Sequence, residues 1–308
     1  MNKIKPHLAL LFCNMVWAMD YPFYNYVMPH YVEPRAMITA SLCVTALISL
    51  LPLLWEKMER VAREDIWKLI GAALLIGVLR KVFMMYGLSQ TSPIDGSIIA
   101  TIVPLLVLII SVIIGIDHFT KLKVAGLILG MGGAVGVIVV GASVSHAHSN
   151  LLGNILIFIC AATTALYMVW FKKLITKYRI TTLLRWIYCV SAVAMLPFGI
   201  KEVVQTDYAV FDWRVILAVL FVLTLPTYLP NLLLNYALKS VQPTVSSIYT
   251  YLQPILAVTL SVWMGLDKLQ FDMLLFGLVI FVGIALVLLS YRRQAALSVS
   301  SVHFIRAE

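Results

Sequence analysis

Three charged side chains lie deep inside long apolar runs of this sequence: Asp20, Arg80 and Lys81. A charge at such a depth costs about 2.5 to 3.5 kcal/mol on membrane-insertion scales, so it normally faces a cavity or a partner. At about 1.5 Å per helical residue, Asp20 and Arg80 lie at one depth, roughly 20 Å from the same membrane face. We expect Asp20 to pair with Arg80 or Lys81 as a gate, or Arg80 to bind a carboxylate through its planar fork. The alternative is that one base extends along its helix to the headgroups while Asp20 caps a bend beside Pro22.

A stripe of polar and small side chains follows helical spacing in two apolar segments that each contain a proline. The stripe consists of Ser97, Thr101, Pro104 and Ser111 in the first segment and Ser247, Tyr251, Pro254 and Ser261 in the second. Residues at this spacing share one helix face. In the first segment helix packing and a cavity wall explain the stripe equally well. In the second, Tyr249 and Gln253 favour a cavity wall, where the carbonyl that each proline frees finds a polar partner.

Aromatic and amide side chains away from the ends of the apolar runs complete the candidate cavity. They are Trp17, Tyr21, Tyr167, Tyr228 and Asn231. Residue counting puts Trp17 and Gln253 near the membrane midplane. Aromatic rings with a polar atom suit an amphipathic metabolite such as an amino acid.

Composition places these residues in a membrane protein. The 308 residues are 62% apolar and 12% charged, against about 25% charged residues in an average soluble domain. Runs of about 20 apolar residues suit membrane-spanning helices. The predicted fold class is therefore an all-α integral membrane protein in a lipid bilayer. The net charge of +9 comes from basic residues in short loops, which fits membrane topology and not nucleic-acid binding.

Nothing in the sequence indicates a metal, a cofactor or catalysis. The cysteines lie inside apolar runs without metal-ligand spacing, and we expect reduced, buried thiols; they are Cys13, Cys43, Cys160 and Cys189. His146 and His148 share a polar loop without a third ligand and make a poor metal site. Nucleophile-elbow, metalloprotease and paired-carboxylate patterns are absent at membrane depth, which argues against an enzyme.

Ten spans are predicted along the chain, joined by short loops. They run roughly from 7 to 27, 36 to 54, 67 to 88, 95 to 115, 121 to 141, 151 to 171, 184 to 200, 213 to 236, 243 to 265 and 271 to 291. Most Lys and Arg residues lie in one set of loops, and the other set holds only Arg35, Lys201, Arg214 and Lys268. The positive-inside rule then puts both termini in the cytoplasm. In the fifth span, Gly126, Gly130, Gly132, Gly133 and Gly136 predict close helix packing.

The chain contains an internal repeat. Tyr86–Asp117 returns 150 positions later as Tyr236–Asp267, with identical residues at about a third of the positions. An odd number of spans per copy inverts the second copy, as in secondary transporters with a substrate site between the halves. The predicted organisation is residues 1–141 as the first five-helix repeat, 142–150 as an extracytoplasmic linker, 151–291 as the second repeat and 292–308 as a cytoplasmic tail.

Each copy has a Tyr-x-Leu, a proline-centred span ending in Gly-x-Asp, and a closing span with glycine. This pattern resembles the two EamA domains of the drug/metabolite transporter superfamily over nearly the whole chain. The resemblance implies a ten-span permease, commonly a bacterial inner-membrane exporter, with a cavity between spans one, three, four, six, eight and nine. Pro104, Pro254, Gly115 and Gly265 are then hinge and scaffold residues. Asp117 and Asp267 join them, where the family commonly has Glu.

The expected function is secondary transport of a small polar or amphipathic metabolite by alternating access, and the resemblance alone implies that the transport is outward. Asp20 is the single acidic residue well inside a span, so proton coupling and facilitated transport both fit. A homo-oligomer is left open. The alternative is a membrane-embedded lipid-handling protein or enzyme whose cavity opens sideways to the bilayer.

Overall fold

The computed structural model describes residues 4–28, 30–90, 96, 99–142, 151–263 and 271–305, and the regular structure among them is helical. Helices α1 to α8 and α10 are Ile4–Val27, Pro34–Leu50, Arg63–Leu88, Val103–Ile113, Lys121–Ala142, Leu151–Trp170, Ile180–Gln205, Trp213–Leu238 and Phe271–Ile305. Helix α9 has two pieces, Pro243–Ile248 and Leu252–Trp263, joined by the 3-10 turn Tyr249–Tyr251. A short helix, Lys172–Lys177, follows α6.

The helices present apolar side chains outward as well as inward. Within the described residues, five of them are long and apolar enough to cross a membrane: α2 with the turn that extends it to Leu54, α3, α6, α7 and α8. Large apolar side chains cover their outer surfaces, for example Leu47, Val193 and Leu217, which are exposed. A soluble monomer rarely exposes apolar surface of this extent. The chain is therefore an all-α membrane protein.

Four helix pairs provide the most extensive packing. Helix α5 lies along α10, α2 along α7, α1 along α8, and α3 along α6. Helices from the first part of the chain therefore pack mainly on helices from the second part. The cavity described below lies among α1, α3, α6 and α8, while α5 and α10 form a separate pair beside it.

Glycines bring the backbones of α5 and α10 into contact. A Cβ atom added to Gly126 would lie 2.7 Å from the carbonyl oxygen of Gly283, and one added to Gly133 would lie 2.9 Å from that of Phe276. These approaches confirm the predicted packing role, because only hydrogen-sized side chains fit there. Gly132 is the exception, since a Cβ there meets no atom within 4 Å.

Helix α3 changes its winding just before the two buried bases. Ala73–Leu79 is π-helical, and the N–H group of Arg80 donates to the carbonyl of Leu75. Ser191 of α7 donates to the Ala73 carbonyl at 3.0 Å. The π-helical segment shifts the register of the residues that follow it, so Arg80 and Lys81 both become buried.

Helices α4 and α9 are interrupted at equivalent prolines. Ile99 and Ala100 are helical, a turn at Thr101 and Ile102 follows, and α4 begins at Val103, so Pro104 lies in its first turn. The second piece of α9 begins at Leu252, so Pro254 also lies in a first turn. The first N–H groups of a helix have no intrahelical partner, which is where proline is tolerated. Both prolines therefore lie where a helical segment begins, beside a local break in the winding.

Gly115 ends α4 with a positive φ of 75°. The N–H of Ile116 donates to the Ser111 carbonyl at 2.8 Å, and that of Gly115 to the Val112 carbonyl at 3.0 Å. These are the two hydrogen bonds of a Schellman motif, which favours glycine at this position. Gly265, the repeat equivalent, lies outside the described residues.

Candidate functional site

A buried cavity lies where α1, α3, α6 and α8 meet the interrupted helices α4 and α9. Its lining residues are Asn14, Trp17, Tyr21, Arg80, Met84, Ala100, Val103, Ile157, Cys160, Ala161, Thr164, Met168, Leu234, Ser246, Ser247, Thr250 and Gln253. These helices are the ones to which the sequence resemblance assigns a cavity. About 50 Å³ is open to the centres of water molecules, room for a few waters at ~10–15 Å³ each. This volume is far smaller than the roughly 300–1,000 Å³ of a typical ligand pocket.

Arg80 is the one charged residue among those lining side chains. It is 9% exposed, and its Nε donates to Thr164 Oγ1 of α6 at 3.2 Å. Its guanidinium carbon lies 5.0 Å from the ring centroid of Trp17, within cation–π range. The structure thus brings the predicted residues Trp17, Tyr21, Arg80 and Gln253 together around one cavity.

Lys81 lies beside the cavity and is held by hydroxyl groups. Its Nζ donates to the Tyr24 hydroxyl at 2.8 Å and to Thr227 Oγ1 at 2.6 Å, and the residue is 4% exposed. Because both bases are buried, neither extends to the headgroups as the alternative interpretation expected. Lys81 instead ties α3 to α1 and α8.

Asp20 is buried without a direct cationic partner. It is 2% exposed, and its Oδ1 has no hydrogen bond. Among the described residues no ion pair within 4.0 Å joins Asp20 to Arg80 or Lys81, so the predicted direct pairing is wrong for this conformation. The reason is that Arg80 binds Thr164 and Lys81 binds two hydroxyls. Asp20 is left as an open acceptor near both bases.

An amide network crosses from α1 to α9 at the cavity wall. The Tyr21 hydroxyl donates to Gln253 Oε1 at 3.3 Å, Gln253 Nε2 donates to Asn14 Oδ1 at 2.9 Å, and Asn14 Nδ2 donates to the Leu10 carbonyl at 2.8 Å. Sequence reasoning missed Asn14 as a site residue, although its amide interrupts an apolar run. It also missed Thr164, because threonine is common in membrane helices.

We expect Gln253→Leu to destabilise the folded protein. The substitution leaves the buried Asn14 Oδ1 and the Tyr21 hydroxyl without their partners, at about 1–3 kcal/mol for each unsatisfied group. The thermal unfolding midpoint in detergent should fall clearly below that of the wild type. The matched control is Gln205→Leu at the exposed end of α7, which should leave the midpoint nearly unchanged. Equal midpoints for the two variants would contradict the network's role.

Tyr167 and Asn231 brace α6 and α8 outside the cavity. The Tyr167 hydroxyl donates to Asn235 Oδ1 at 2.7 Å, Asn235 Nδ2 donates to the Asn231 carbonyl at 2.7 Å, and Asn231 Nδ2 donates to the Thr227 carbonyl at 2.8 Å. The chain of hydrogen bonds ends at Thr227, which also holds Lys81. These residues hold α6 and α8 in place beside the cavity, and they are not among its lining residues.

The remaining predicted cavity residues lie elsewhere. Tyr249 hydrogen-bonds His7 Nδ1 at 2.7 Å, and the ring of half-buried Tyr228 lies 6.2 Å from that of Tyr188. Tyr251 is buried against Gly130, and its hydroxyl donates to the Leu127 carbonyl at 3.2 Å, so it faces α5. The expectation that Tyr251 lines this cavity is corrected. Buried Thr101 also lies outside the lining residues.

Asp117 joins four elements at one end of the bundle. It lies after α4 and accepts hydrogen bonds from Lys123 of α5, from Tyr291 of α10, and from Thr244 of α9 at 2.9 Å. The Lys123 side chain is 0% exposed. We call Asp117, Lys123, Thr244 and Tyr291 the Asp117 cluster.

The cluster changes the acidity of its carboxyl group. Burial alone would raise the pKa of Asp117, but the hydrogen bonds from Lys123, Tyr291, the His118 N–H and Thr244 outweigh it and hold the pKa below its ordinary value. The carboxylate is therefore the stable form in the folded protein. The equivalent Asp267 lies outside the described residues, as do Ser97, His146 and His148.

Comparisons with known proteins agree with this architecture. An uncharacterized transporter of Archaeoglobus fulgidus is 20% identical over 283 residues, which cover 92% of this chain and 96% of the relative. The uncharacterized transporter YetK of Bacillus subtilis is 25% identical over 220 residues, covering 70% of this chain and 66% of YetK. A solved crystal structure superposes with a TM-score of 0.74 at 16% identity, covering 95% of this chain and all of that one, and shows the fold. Residues 4–139 and 151–289 match the EamA-like transporter family. The chain therefore belongs to the EamA-like transporter family.

Proposed function

We propose that this protein is a ten-span exporter that carries a small polar or amphipathic metabolite by alternating access around the Arg80 cavity. The observation that carries the proposal is the cavity itself. It is buried, it is lined by helices from both halves of the chain, and it holds a guanidinium beside an indole ring and an amide network. Orienting polar groups inside a mostly apolar pocket are typical of small-molecule sites.

The two halves form an inverted pair in this proposal, residues 1–141 and 151–291 around the linker 142–150. The repeat of 150 residues supports this, since it relates α1 to α6 and α3 to α8. It therefore exchanges the α1–α8 pair with the α6–α3 pair, and both pairs pack extensively. The family match in two segments, 4–139 and 151–289, is also consistent with two copies.

The basic loops orient the protein in the proposal. The protein lies in the cell's inner membrane. Its cytoplasmic side carries both termini, the tail 292–308 and the Asp117 cluster. The cluster then closes the cytoplasmic side by tying α4 and α5 to α9 and α10. Opening to the cytoplasm requires these elements to separate, with the interruptions at Pro104 and Pro254 as the flexing points.

Asp20 is the proposed coupling residue if transport is driven by protons. A buried carboxylate with an open Oδ1 beside two buried bases can gain a proton as the neighbouring groups move. We expect Asp20→Asn to abolish any dependence of transport on a pH gradient, measured in proteoliposomes with and without the gradient. The control Asp207→Asn, at an exposed site, should behave like wild type. If the flux through the wild-type protein is the same with and without the pH gradient, transport is facilitated and not proton-coupled.

The experiment that tests the function is metabolite profiling. Medium from cells that overexpress the protein is compared with medium from cells that lack it, and a transported compound should accumulate outside the overexpressing cells. Its flux should then be reproduced by purified protein in proteoliposomes. No difference in the medium for any compound, with the protein present in the membrane, contradicts export. Uptake in place of release would reverse the direction.

A further inference from the structure

The hydrogen-bonding capacity that the cavity leaves unused is mainly donor capacity. Arg80 uses Nε on Thr164, and in the described part of the chain no hydrogen bond joins its two terminal nitrogens to the protein. Trp17 Nε1 is buried without a partner, and so is Ser246 Oγ. Trp17, Arg80 and Ser246 all line the cavity. A buried donor without an acceptor is unfavourable, and more so for a charged group, so a ligand that supplies acceptors is favoured here.

The charge balance points the same way. The lining residues contain one guanidinium and no carboxylate, and Lys81 adds a second buried cation next to them. Asp20 is the one buried carboxylate near these two bases among the described residues, so one positive charge is left uncompensated when all three are ionised. An uncompensated buried charge is unfavourable, and a bound anion removes it.

The rest of the wall is apolar. It is formed by the ring of Trp17 and by the side chains of Met84, Ile157, Ala161, Met168 and Leu234. A ligand that reaches from Arg80 into this part needs an apolar body. A free ammonium group on the ligand finds no carboxylate among the lining residues.

We propose that the cavity selects an organic anion, a compound with an apolar body, one carboxylate or phosphate group bound by Arg80, and no ammonium group. This rests on the proposed function, and it narrows the substrate class from amphipathic metabolites, including amino acids, to net anions. Arg80 holds the oxyanion through its two free terminal nitrogens, with Trp17 beneath the guanidinium and its indole N–H as a further donor.

The test uses five probes with one phenyl body and different head groups. They are phenylacetate, phenyl phosphate, phenylacetamide, phenethylamine and phenylalanine. Each is titrated into the purified wild-type protein in detergent while the thermal unfolding midpoint is recorded, because a ligand that binds the folded state raises it. We expect phenylacetate or phenyl phosphate to raise the midpoint, with the stronger of the two identifying the oxyanion. We expect phenylacetamide, phenethylamine and phenylalanine to have little effect.

Three results would overturn the inference: equal stabilisation by phenylacetamide, stronger stabilisation by phenylalanine or phenethylamine, or no response to either anion. The wild-type series decides this without any variant. As a second measurement, Arg80→Gln should weaken anion binding roughly tenfold to hundredfold, the loss expected for hydrogen bonds to a charged group. Arg80→Lys, which keeps the charge without the fork, should give an intermediate loss. The matched control Arg179→Gln, at an exposed position, should leave binding unchanged.

Binding and transport can fail separately in these experiments. Anion binding with no metabolite exported would retain the inferred site and reject export. Export of a cationic or zwitterionic compound, with no anion binding, would retain the transporter and reject the inferred substrate class.

Discussion

Replacing Asp117 by alanine is expected to destabilise the protein by about 3–5 kcal/mol, the cost of leaving a buried charge without its partner. Lys123, which is fully buried, would lose its carboxylate, and Thr244 and Tyr291 would lose their shared acceptor. Because the cluster joins α5, α9 and α10 to the end of α4, the loss affects packing between both halves. The measurement is the free energy of unfolding in detergent, from denaturant titration of the purified protein.

The double variant Asp117→Ala with Lys123→Met separates charge from packing. Removing both partners leaves no buried charge, so most of the lost stability should return. The interpretation is contradicted if the double variant loses as much free energy of unfolding as the two single variants together. It is also contradicted if Asp117→Ala alone is as stable as the wild type.

The pH dependence of stability has a definite sign at Asp117. The pKa of Asp117 is lower in the folded protein than in the unfolded chain, where it is about 3.9. The stabilisation that ionised Asp117 gives the folded state is therefore fully present above the unfolded-state pKa and is lost as the pH falls through the folded-state pKa. Wild-type stability should therefore decline below about pH 4. The decline should be smaller in Asp117→Ala, which has no carboxylate to protonate. Parallel acid titrations of the two proteins measure the difference.

Much of the membrane fold can be predicted from the sequence, because the patterns that indicate it extend over about 20 residues or more. Apolar runs predict the helices, and the match between Tyr86–Asp117 and Tyr236–Asp267 predicts equivalent proline interruptions. The burial of Arg80 was also predictable, since a charge inside a span needs a cavity or a partner. These arguments depend on composition and on the order of residues, and not on side-chain orientation.

The partners of the site residues could not be predicted in the same way. The direct pairing of Asp20 with the bases assumed an uninterrupted α-helix, but the π-helical segment Ala73–Leu79 shifts the register of the bases that follow it. Arg80 then meets Thr164, a residue 84 positions away.

Local winding also explains the outcome at Tyr251. The polar stripe assumed 3.6 residues per turn through Tyr249–Tyr251, where the structure has a 3-10 turn of about 3.0 residues. Tyr251 therefore faces α5 and packs on Gly130, while Gln253 reaches the cavity. Periodicity in a sequence cannot report a change of period over three residues. The interruption itself is predictable from Pro254, but its effect on neighbouring side chains is not.

Gly133→Leu is expected to separate α5 from α10 and to lower the stability of the folded protein. A Cβ at Gly133 would lie 2.9 Å from the Phe276 carbonyl oxygen and 3.0 Å from the Ile280 backbone nitrogen, and backbone atoms cannot move aside as a flexible side chain can. Overpacking of this kind costs about 1–3 kcal/mol or more. Membrane helices gain much of their association from such close packing, so the folded fraction in detergent should fall.

Gly132→Leu is the matched control, because it makes the same change one residue away on the same helix. A Cβ at Gly132 meets no atom within 4 Å, and the residue is exposed on the outer surface. Both variants gain the same helix propensity relative to glycine and the same apolar volume. Size-exclusion profiles and unfolding midpoints should therefore match wild type for Gly132→Leu and fall for Gly133→Leu. Equal behaviour of the two would mean that contact between the α5 and α10 backbones contributes little to the assembled bundle.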